Sequence, residues 1–278
     1  MIDTWLYQNP DGLRMDGKRR RLGRLFNRQS GKTLMVPIDH GVTMGPAAGL
    51  ENPQQLINSL VSMGVNAVIG HKGVLKHFHD SLSDTPFILH LSGSTNLGDD
   101  PGYKAVVGDV EAAVAMGADA VSIHITLGHA HEREMLADFG RISTQCDRFG
   151  MPLLAMVYLD KSVAVADEGV VPELHAVRVA QELGADIIKL ADPGDDGLLA
   201  EIVTSLQVPV VVGGGARQDS ASFLQRINSM MAGGISGIAV GRNIFQSADI
   251  ESDFSRLYAA VHNMPVVSVL VREPVRAR

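Results

Sequence analysis

The decapeptide 185-ADIIKLADPG-194 carries an apolar run into a lysine and then stops at a Pro-Gly turn. Ala, Ile, Ile and Leu suit a parallel strand covered on both faces, because such strands are continuously hydrophobic rather than alternating. The lysine is the anomaly. An ammonium buried without a partner is costly, so such a side chain snorkels to water, pairs with a carboxylate, or loses its charge and becomes a nucleophile. Asp186, Asp192 or another carboxylate could be that partner. What the other strands bring beside Lys189 decides between a structural and a reactive lysine.

Working outward, runs of the same kind recur: 33-TLMVPID-39, 66-NAVIG-70, 87-FILHL-91, 119-DAVSIHI-125, 153-LLAMVY-158, 186-DIIKL-190, 208-VPVVVG-213 and 237-GIAVG-241. Helical patterns separate them at 53–64, 109–117, 131–150, 172–184, 196–206 and 219–234. The first of these has Asn52 as a cap and Pro53 in its first turn. The connection 92–108 reads as a loop before its helix. One junction repeats: Gly64-Val65-Asn66-Ala67, Gly117-Ala118-Asp119-Ala120, Gly184-Ala185-Asp186-Ile187 and Gly234-Ile235-Ser236-Gly237 each end a helix at a glycine and begin a strand. Strand and helix alternating eight times, at roughly 20 to 35 residues per unit, predict an α/β fold of the (β/α)8 TIM-barrel type. A doubly wound open sheet is the alternative.

The chain of 278 residues, 45% hydrophobic, is long enough for one large α/β domain over 1–278. We divide it into an N-terminal extension (1–32), the barrel (33–262) and a tail (263–278). The extension interleaves Lys18, Arg19, Arg20, Arg21, Arg24 and Arg28 with Leu22, Leu25 and Phe26 at helical spacing. It predicts an amphipathic helix, either solvated or docked on the body or a neighbouring subunit. With 24 Lys+Arg against 31 Asp+Glu the net charge is −7, which argues against nucleic acid as a partner. A lone Cys146 cannot form an internal disulfide, and no stretch resembles a signal peptide or a bilayer span. A soluble, cytoplasmic protein with no membrane partner is the expectation.

In such a barrel the carboxyl ends of the strands converge on one mouth. Those ends deliver Asp39 and His40, His71 and Lys72, His90, His124 and Thr126, Tyr158, and Lys189. The last two deliver glycines, Gly213-Gly214-Gly215 and Gly241-Arg242-Asn243, where this fold commonly cradles a phosphate. Backbone N–H groups of Gly214, Gly215 and Gly241 can approach an anion there, and Arg242 can add a bidentate contact. A lysine near a phosphate-held ketone predicts Schiff-base carbon–carbon chemistry: the amine adds to the carbonyl and the iminium accepts electrons. Tyr158 suits the proton of the aldol hydroxyl, and Asp39 the carbinolamine and iminium protons. Their structural alternatives are a core tyrosine with a satisfied hydroxyl and a strand-end cap. The histidines lack the spacing of a familiar zinc motif, so we assign no metal and no cofactor.

Several of these segments, in order, carry a resemblance. 16-DGKRRRLGRLFNRQSGKTLMVPIDHGVTMGP-46, 70-GHKG-73, 122-SIHITLG-128, 155-AMVY-158, Lys189 after paired isoleucines, 208-VPVVVGGGA-216 and 239-AVGRNIFQ-246 resemble the archaeal-type class I aldolase group over nearly the whole chain. That group includes fructose-bisphosphate aldolases, 2-amino-3,7-dideoxy-D-threo-hept-6-ulosonate synthase and the thiolase-like enzyme of phosphorylated autoinducer-2. The resemblance implies Lys189 as the Schiff-base lysine, Tyr158 as acid/base and Asp39 as a further proton carrier. It also implies substrate and phosphate contacts at His40, Gly214, Gly215, Gly241 and Arg242, and a homo-oligomer such as the ring-based decamer of relatives. The opening and 122-SIHITLG-128 look closest to the heptulosonate synthase branch, which joins a keto-sugar phosphate fragment to aspartate semialdehyde. One segment departs: 190-LADPGD-195 replaces a polar Tyr-Thr-Gly segment, removing hydroxyls and adding Asp192 and Asp195 on the acceptor side. The expected activity is therefore a Schiff-base aldolase or transaldolase acting on a phosphorylated keto sugar and an aldehyde. Fructose-bisphosphate cleavage, a thiolase-like acyl transfer to coenzyme A, and a non-catalytic sensor of a phosphorylated ligand are the alternatives.

Overall fold

Ten strands form, and the eight apolar runs supply the eight that close. In the computed structural model, which describes residues 16–160 and 169–265, they are β1 (Thr33–Pro37), β2 (Ala67–Gly70), β3 (Phe87–His90), β4 (Ser92–Gly93), β5 (Ala105–Val106), β6 (Ala120–Leu127), β7 (Leu153–Leu159), β8 (Ile187–Ala191), β9 (Val210–Gly213) and β10 (Gly237–Ala239). All but β4 and β5 are parallel neighbours in the order β1-β2-β3-β6-β7-β8-β9-β10, closing back on β1. The fold is thus the TIM barrel, and the open sheet is excluded. Residues 1–15 of the extension and 266–278 of the tail lie outside the described residues.

Strand alternation sorts the side chains. Met35, Ile69, Ile88, Leu154, Ile187 and Val211 fill the barrel interior, while Val36, Val68, Val121, Ile188 and Val212 pack outward against the helices. Two residues beyond Ile187 on the inner face comes Lys189, in register with Met156 and Val211. Leu190 faces the helical layer.

The helices, in chain order, are α1 (Asp16–Arg24), α2 (His40–Met44), α3 (Pro53–Ser62), α4 (Lys72–Leu82), α5 (Val110–Ala115), α6 (Glu132–Phe149), α7 (Pro172–Glu182), α8 (Asp196–Ser205), α9 (Ser220–Ala232), α10 (Arg242–Phe245) and α11 (Ile250–His262). Asn52, Asp109, Asp195, Asp219 and Asp249 cap their helices through side-chain oxygens. Four helices, α2, α4, α10 and α11, go beyond the sequence patterns. The weak signal of α4 has a cause: Gly73 sits in its first turn and its backbone breaks at Phe78. Among the described residues no helix is long and apolar enough to cross a membrane.

The basic segment docks on the body, under the barrel. Leu25 is wholly buried in the interior cluster, with Leu22 and Phe26 packed beside it. Its cations meet the repeated helix-to-strand junctions: Lys18 bridges Asp147 at 2.6 Å and Asp186 at 2.9 Å, and Arg24 lies 3.0 Å from Asp119. Those junction residues also tie the strands together. Asn66, Asp119 and Asp186 accept the backbone N–H of Leu34, Phe87 and Leu153 at 2.7, 3.0 and 2.8 Å.

Candidate active site

At the opposite end, the inner face changes from aliphatic to polar and lines a cavity of about 550 Å³. Lys189 is 7% exposed although it lines that cavity. Neither of the two carboxylates near it in sequence pairs with it. Asp186 belongs to Lys18 below the barrel, and Asp192 receives a bidentate contact from Arg226, with Nε–Oδ2 at 2.7 Å and Nη2–Oδ1 at 2.6 Å. The polar neighbours of Lys189 Nζ are the Tyr158 hydroxyl at 3.5 Å and the Met156 sulfur at 3.7 Å. Among the described residues no carboxylate makes an ion pair with this lysine within 4.0 Å.

Tyr158 stacks on His124, with ring centroids 4.5 Å apart and planes 13° from parallel. His124 is fixed in turn by Thr126, Nε2 to Oγ1 at 2.9 Å. Thr126 thus acts behind the cavity wall. Lys72, exposed in the first turn of α4, is absent from that wall.

Asp39 precedes α2, yet its side chain makes no capping hydrogen bond, so the strand-end cap reading fails. Its carboxylate instead faces imidazoles: His40 Nδ1 at 3.4 Å and His90 Nε2 at 3.8 Å. Burial alone would push the Asp39 carboxyl up, but the positive fields of His90, His40, Lys189 and His71 outweigh it and hold it below the usual range. Burial drives the histidines toward the neutral form, against the pull of Asp39, with His90 pushed down to about 4. His90 is oriented by Ser122 at 2.9 Å, and the ring of His71 approaches the His90 carbonyl at 3.1 Å. The site so built sets the Asp39 carboxyl among imidazoles beside a lysine.

The glycine loops meet the cavity from β9 and β10. Gly214 differs in detail from the expectation: its N–H already donates to Ala239 O at 3.0 Å, so it offers room rather than a donor. A side chain there would come within 3.0 Å of Val240. Among the described residues the N–H groups of Gly215 and Gly241 take part in no turn or loop hydrogen bond. Gly241 is also where chain and ring approach closely, since a Cβ would stand 2.8 Å from both His40 Cε1 and the Pro37 carbonyl. Arg242 lines the cavity, and its Nε is buried without a partner among the described residues.

Two residues escaped the sequence reading. Asn243, 2% exposed, donates to Gly214 O at 2.8 Å and Ala216 O at 2.9 Å and accepts from Gln218 N at 2.8 Å. It fastens the two glycine loops together. Lys104 reaches the cavity from the connection between β3 and α5, where the expected plain loop contains the antiparallel pair β4 and β5. The departure at 190–195 needs a correction too. Asp195 caps α8, accepting from Leu198 N–H at 2.9 Å, and does not line the cavity, whereas Asp192 does. No group of His, Cys, Asp or Glu among the described residues is arranged to hold a metal ion.

With that geometry in hand, residues 33–247 match the DeoC/LacD family aldolase model. The chain belongs to the DeoC/LacD aldolase family. It is 40% identical over 261 residues to 2-amino-3,7-dideoxy-D-threo-hept-6-ulosonate synthase 1 of Archaeoglobus fulgidus, covering 93% of this chain and 96% of that protein. It is 39% identical to 2-amino-4,5-dihydroxy-6-oxo-7-(phosphonooxy)heptanoate synthase of Streptomyces griseus, covering 87% of this chain and 89% of that one. Among solved structures it superposes, with a TM-score of 0.79 and 30% identity, on an archaeal fructose-1,6-bisphosphate aldolase whose catalytic lysine is bound to a carbinolamine intermediate. That match covers 87% of this chain and 98% of the other. This DeoC/LacD member is an enzyme of the class I, Schiff-base aldolase type.

Proposed function

We propose that this aldolase uses Lys189 to hold a keto-sugar phosphate as an iminium and transfers or releases its enamine fragment, with a 2-amino-acid aldehyde as acceptor. The observation that carries the reading is the buried Lys189 amine, without an ion-pair partner among the described residues and 3.5 Å from the Tyr158 hydroxyl in a cavity walled by glycine loops. Nζ attacks the carbonyl carbon, and the carbinolamine hydroxyl leaves as water, its proton supplied through Asp39 and its imidazoles. Tyr158 takes the proton of the β-hydroxyl as the carbon–carbon bond breaks, the aldehyde departs, and the bonding pair moves to nitrogen to give the enamine. The enamine carbon attacks the acceptor aldehyde, Tyr158 returns a proton to the new alkoxide, and water hydrolyses the iminium. Arg242, His40 and the loops of Gly214, Gly215 and Gly241 hold the phosphate end.

The relatives' names support the choice of acceptor. Both describe a seven-carbon 2-amino acid with a ketone at carbon 6. An aldol bond to such a ketone lies between carbons 4 and 5, so disconnection gives a four-carbon 2-amino-acid aldehyde, aspartate semialdehyde, and a three-carbon ketone. The reading includes a cytoplasmic homo-oligomer, a decamer in its fullest form, for which a monomeric mass in sedimentation would be the contrary result.

Borohydride added with a panel of phosphorylated ketoses should fix a reduced adduct on Lys189, located by mass spectrometry. An unlabelled lysine under turnover conditions sinks the proposal, and Lys189→Met should fold normally while losing turnover. A strict requirement for coenzyme A would point instead to the thiolase-type reaction.

A further inference from the structure

Among the described residues four lysines and arginines wall the cavity, and three have a stated use. Lys189 and Arg242 belong to the reading above, while Arg226 is held by Asp192 and also bonded to Asp196. Lys104 is the fourth. Its Nζ donates to Ser94 Oγ at 2.7 Å and lies 3.5 Å from Thr43 Oγ1. No carboxylate among the described residues comes within 4.0 Å of it. Among the described residues its side-chain contacts are hydroxyls, so this half-buried cation is available to an anion entering the cavity.

The mounting of Lys104 is rigid rather than incidental. It adjoins β5, whose Ala105 pairs with Gly93 of β4. Asn96 N–H in the same excursion donates to Thr43 O at 2.9 Å, and Tyr103 N–H donates to Asp100 at 3.2 Å. In the ring of eight strands, β3, which launches this excursion, lies across the barrel from β9, which launches the glycine loop. A substrate anchored by phosphate at β9 and β10 and joined to Lys189 on β8 must therefore extend its far end toward Lys104.

We infer that Lys104 binds the anionic end of the acceptor aldehyde and so selects acidic acceptors, either a carboxylate on an amino-acid aldehyde or a phosphate on a sugar aldehyde. The inference rests on the Schiff-base reading of Lys189. Burial pushes the Lys104 ammonium down while Asp39 opposes that shift, as fits a cation held inside a pocket.

The test measures acceptor kinetics at saturating keto phosphate for the wild type, Lys104→Met and Lys104→Arg. Aspartate semialdehyde, glyceraldehyde 3-phosphate and uncharged glycolaldehyde serve as acceptors, and borohydride trapping with donor alone is run in parallel. Lys104→Met should raise KM for an anionic acceptor about 10- to 100-fold, the loss of one charge-assisted contact, with a much smaller change in kcat. Glycolaldehyde should show no such change, donor trapping on Lys189 should be intact, and Lys104→Arg should recover most of the affinity. Which of the two anionic acceptors responds identifies the anion as carboxylate or phosphate. Equal effects on charged and uncharged acceptors, or an enzyme that traps donor but takes neither anionic aldehyde, overturn the inference. Loss of donor trapping in both folded variants would assign Lys104 to the donor and overturn it as well. Absence of a Lys189 adduct in the wild type would instead strike the Schiff-base reading, and this inference with it.

Discussion

Tyr158 has two contacts that can be separated. Tyr158→Phe keeps the ring stacked on His124 and removes only the hydroxyl near Lys189. Turnover should fall about 10²- to 10⁴-fold, the range for a lost general acid or base, while borohydride still captures the donor on Lys189. Equal loss of trapping and turnover would mean that the hydroxyl acts before the iminium forms. Asn243 sets the second prediction at this scale. Asn243→Ala leaves the carbonyls of Gly214 and Ala216 without their donor, at about 1 to 3 kcal/mol for a buried group left unsatisfied. The glycine loops should then hold phosphate more weakly, measured as a raised inhibition constant for inorganic phosphate. An unchanged constant would show that the loops keep their shape without Asn243. Of these residues Lys189 and Tyr158 were legible in the sequence, because each ends an apolar run where the strand opens on the mouth. Asn243 was read only as part of a glycine-rich loop. Its role depends on carbonyls 27 and 29 residues away, a separation no local pattern records.

At the scale of elements, α1 is the case where sequence left two readings and packing chose one. The helix ends at Arg24, so of the predicted stripe only Leu22 lies on it and Leu25 and Phe26 follow just beyond; an isolated helix of this length is marginal in water. The barrel base supplies the rest, through Leu25 in the interior and Lys18 between Asp147 and Asp186. Lys18→Met strands the largely buried Asp186 carboxylate without its cation, and removing one partner of such a pair costs about 3 kcal/mol or more. Urea unfolding should show that loss, while the KM for donor stays near its original value because the mouth lies at the other end of the barrel. The junction aspartates were visible as a repeat, but their work was not. Asp119 and Asp186 bind backbone of the preceding strand, a partner defined by sheet order rather than by sequence neighbours. The connection between β3 and α5 was hidden for the opposite reason. Two-residue strands carry no periodicity to detect, so the excursion that brings Lys104 to the cavity reads as plain loop.

Across the whole molecule, burial of imidazoles links folding to pH. His90 in the cavity wall and His262 on α11 are each pushed down to about 4, His90 chiefly by burial against the pull of Asp39 and His262 by burial. His262 is buried between Ser30, 2.6 Å from its Nδ1, and Asn66, 3.0 Å from its Nε2. An unfolded histidine titrates near 6.5, so between about 6.5 and 4 the unfolded chain binds the extra protons. Stability should therefore be level above pH 6.5 and fall as the pH drops toward 4, by at most on the order of 3 kcal/mol for each of the two groups. His40, His71 and His124 are lowered as well and steepen the same fall. The Asp39 carboxyl, held below the usual range, adds its own loss only at still lower pH. Unfolding free energies at pH 7.5, 6.5, 5.5 and 4.5 measure the profile, and a flat line across that window would refute it.

The amino-acid sequence alone determined the alternation of eight strands with helices, the barrel that follows from it, and the chemistry-bearing residues at the strand ends. These are local properties, written in apolar runs, helix-ending glycines and the point at which each run stops. Only the tertiary structure decided what each charge at those ends does. It gave Asp186 to Lys18, Asp192 to Arg226 and Asp39 to the imidazoles, and among the described residues left Lys189 and Lys104 without a carboxylate in ion-pair contact. Electrostatic partnership falls off with distance in space, and closing the barrel brings together groups more than a hundred residues apart while separating others that are adjacent in the chain.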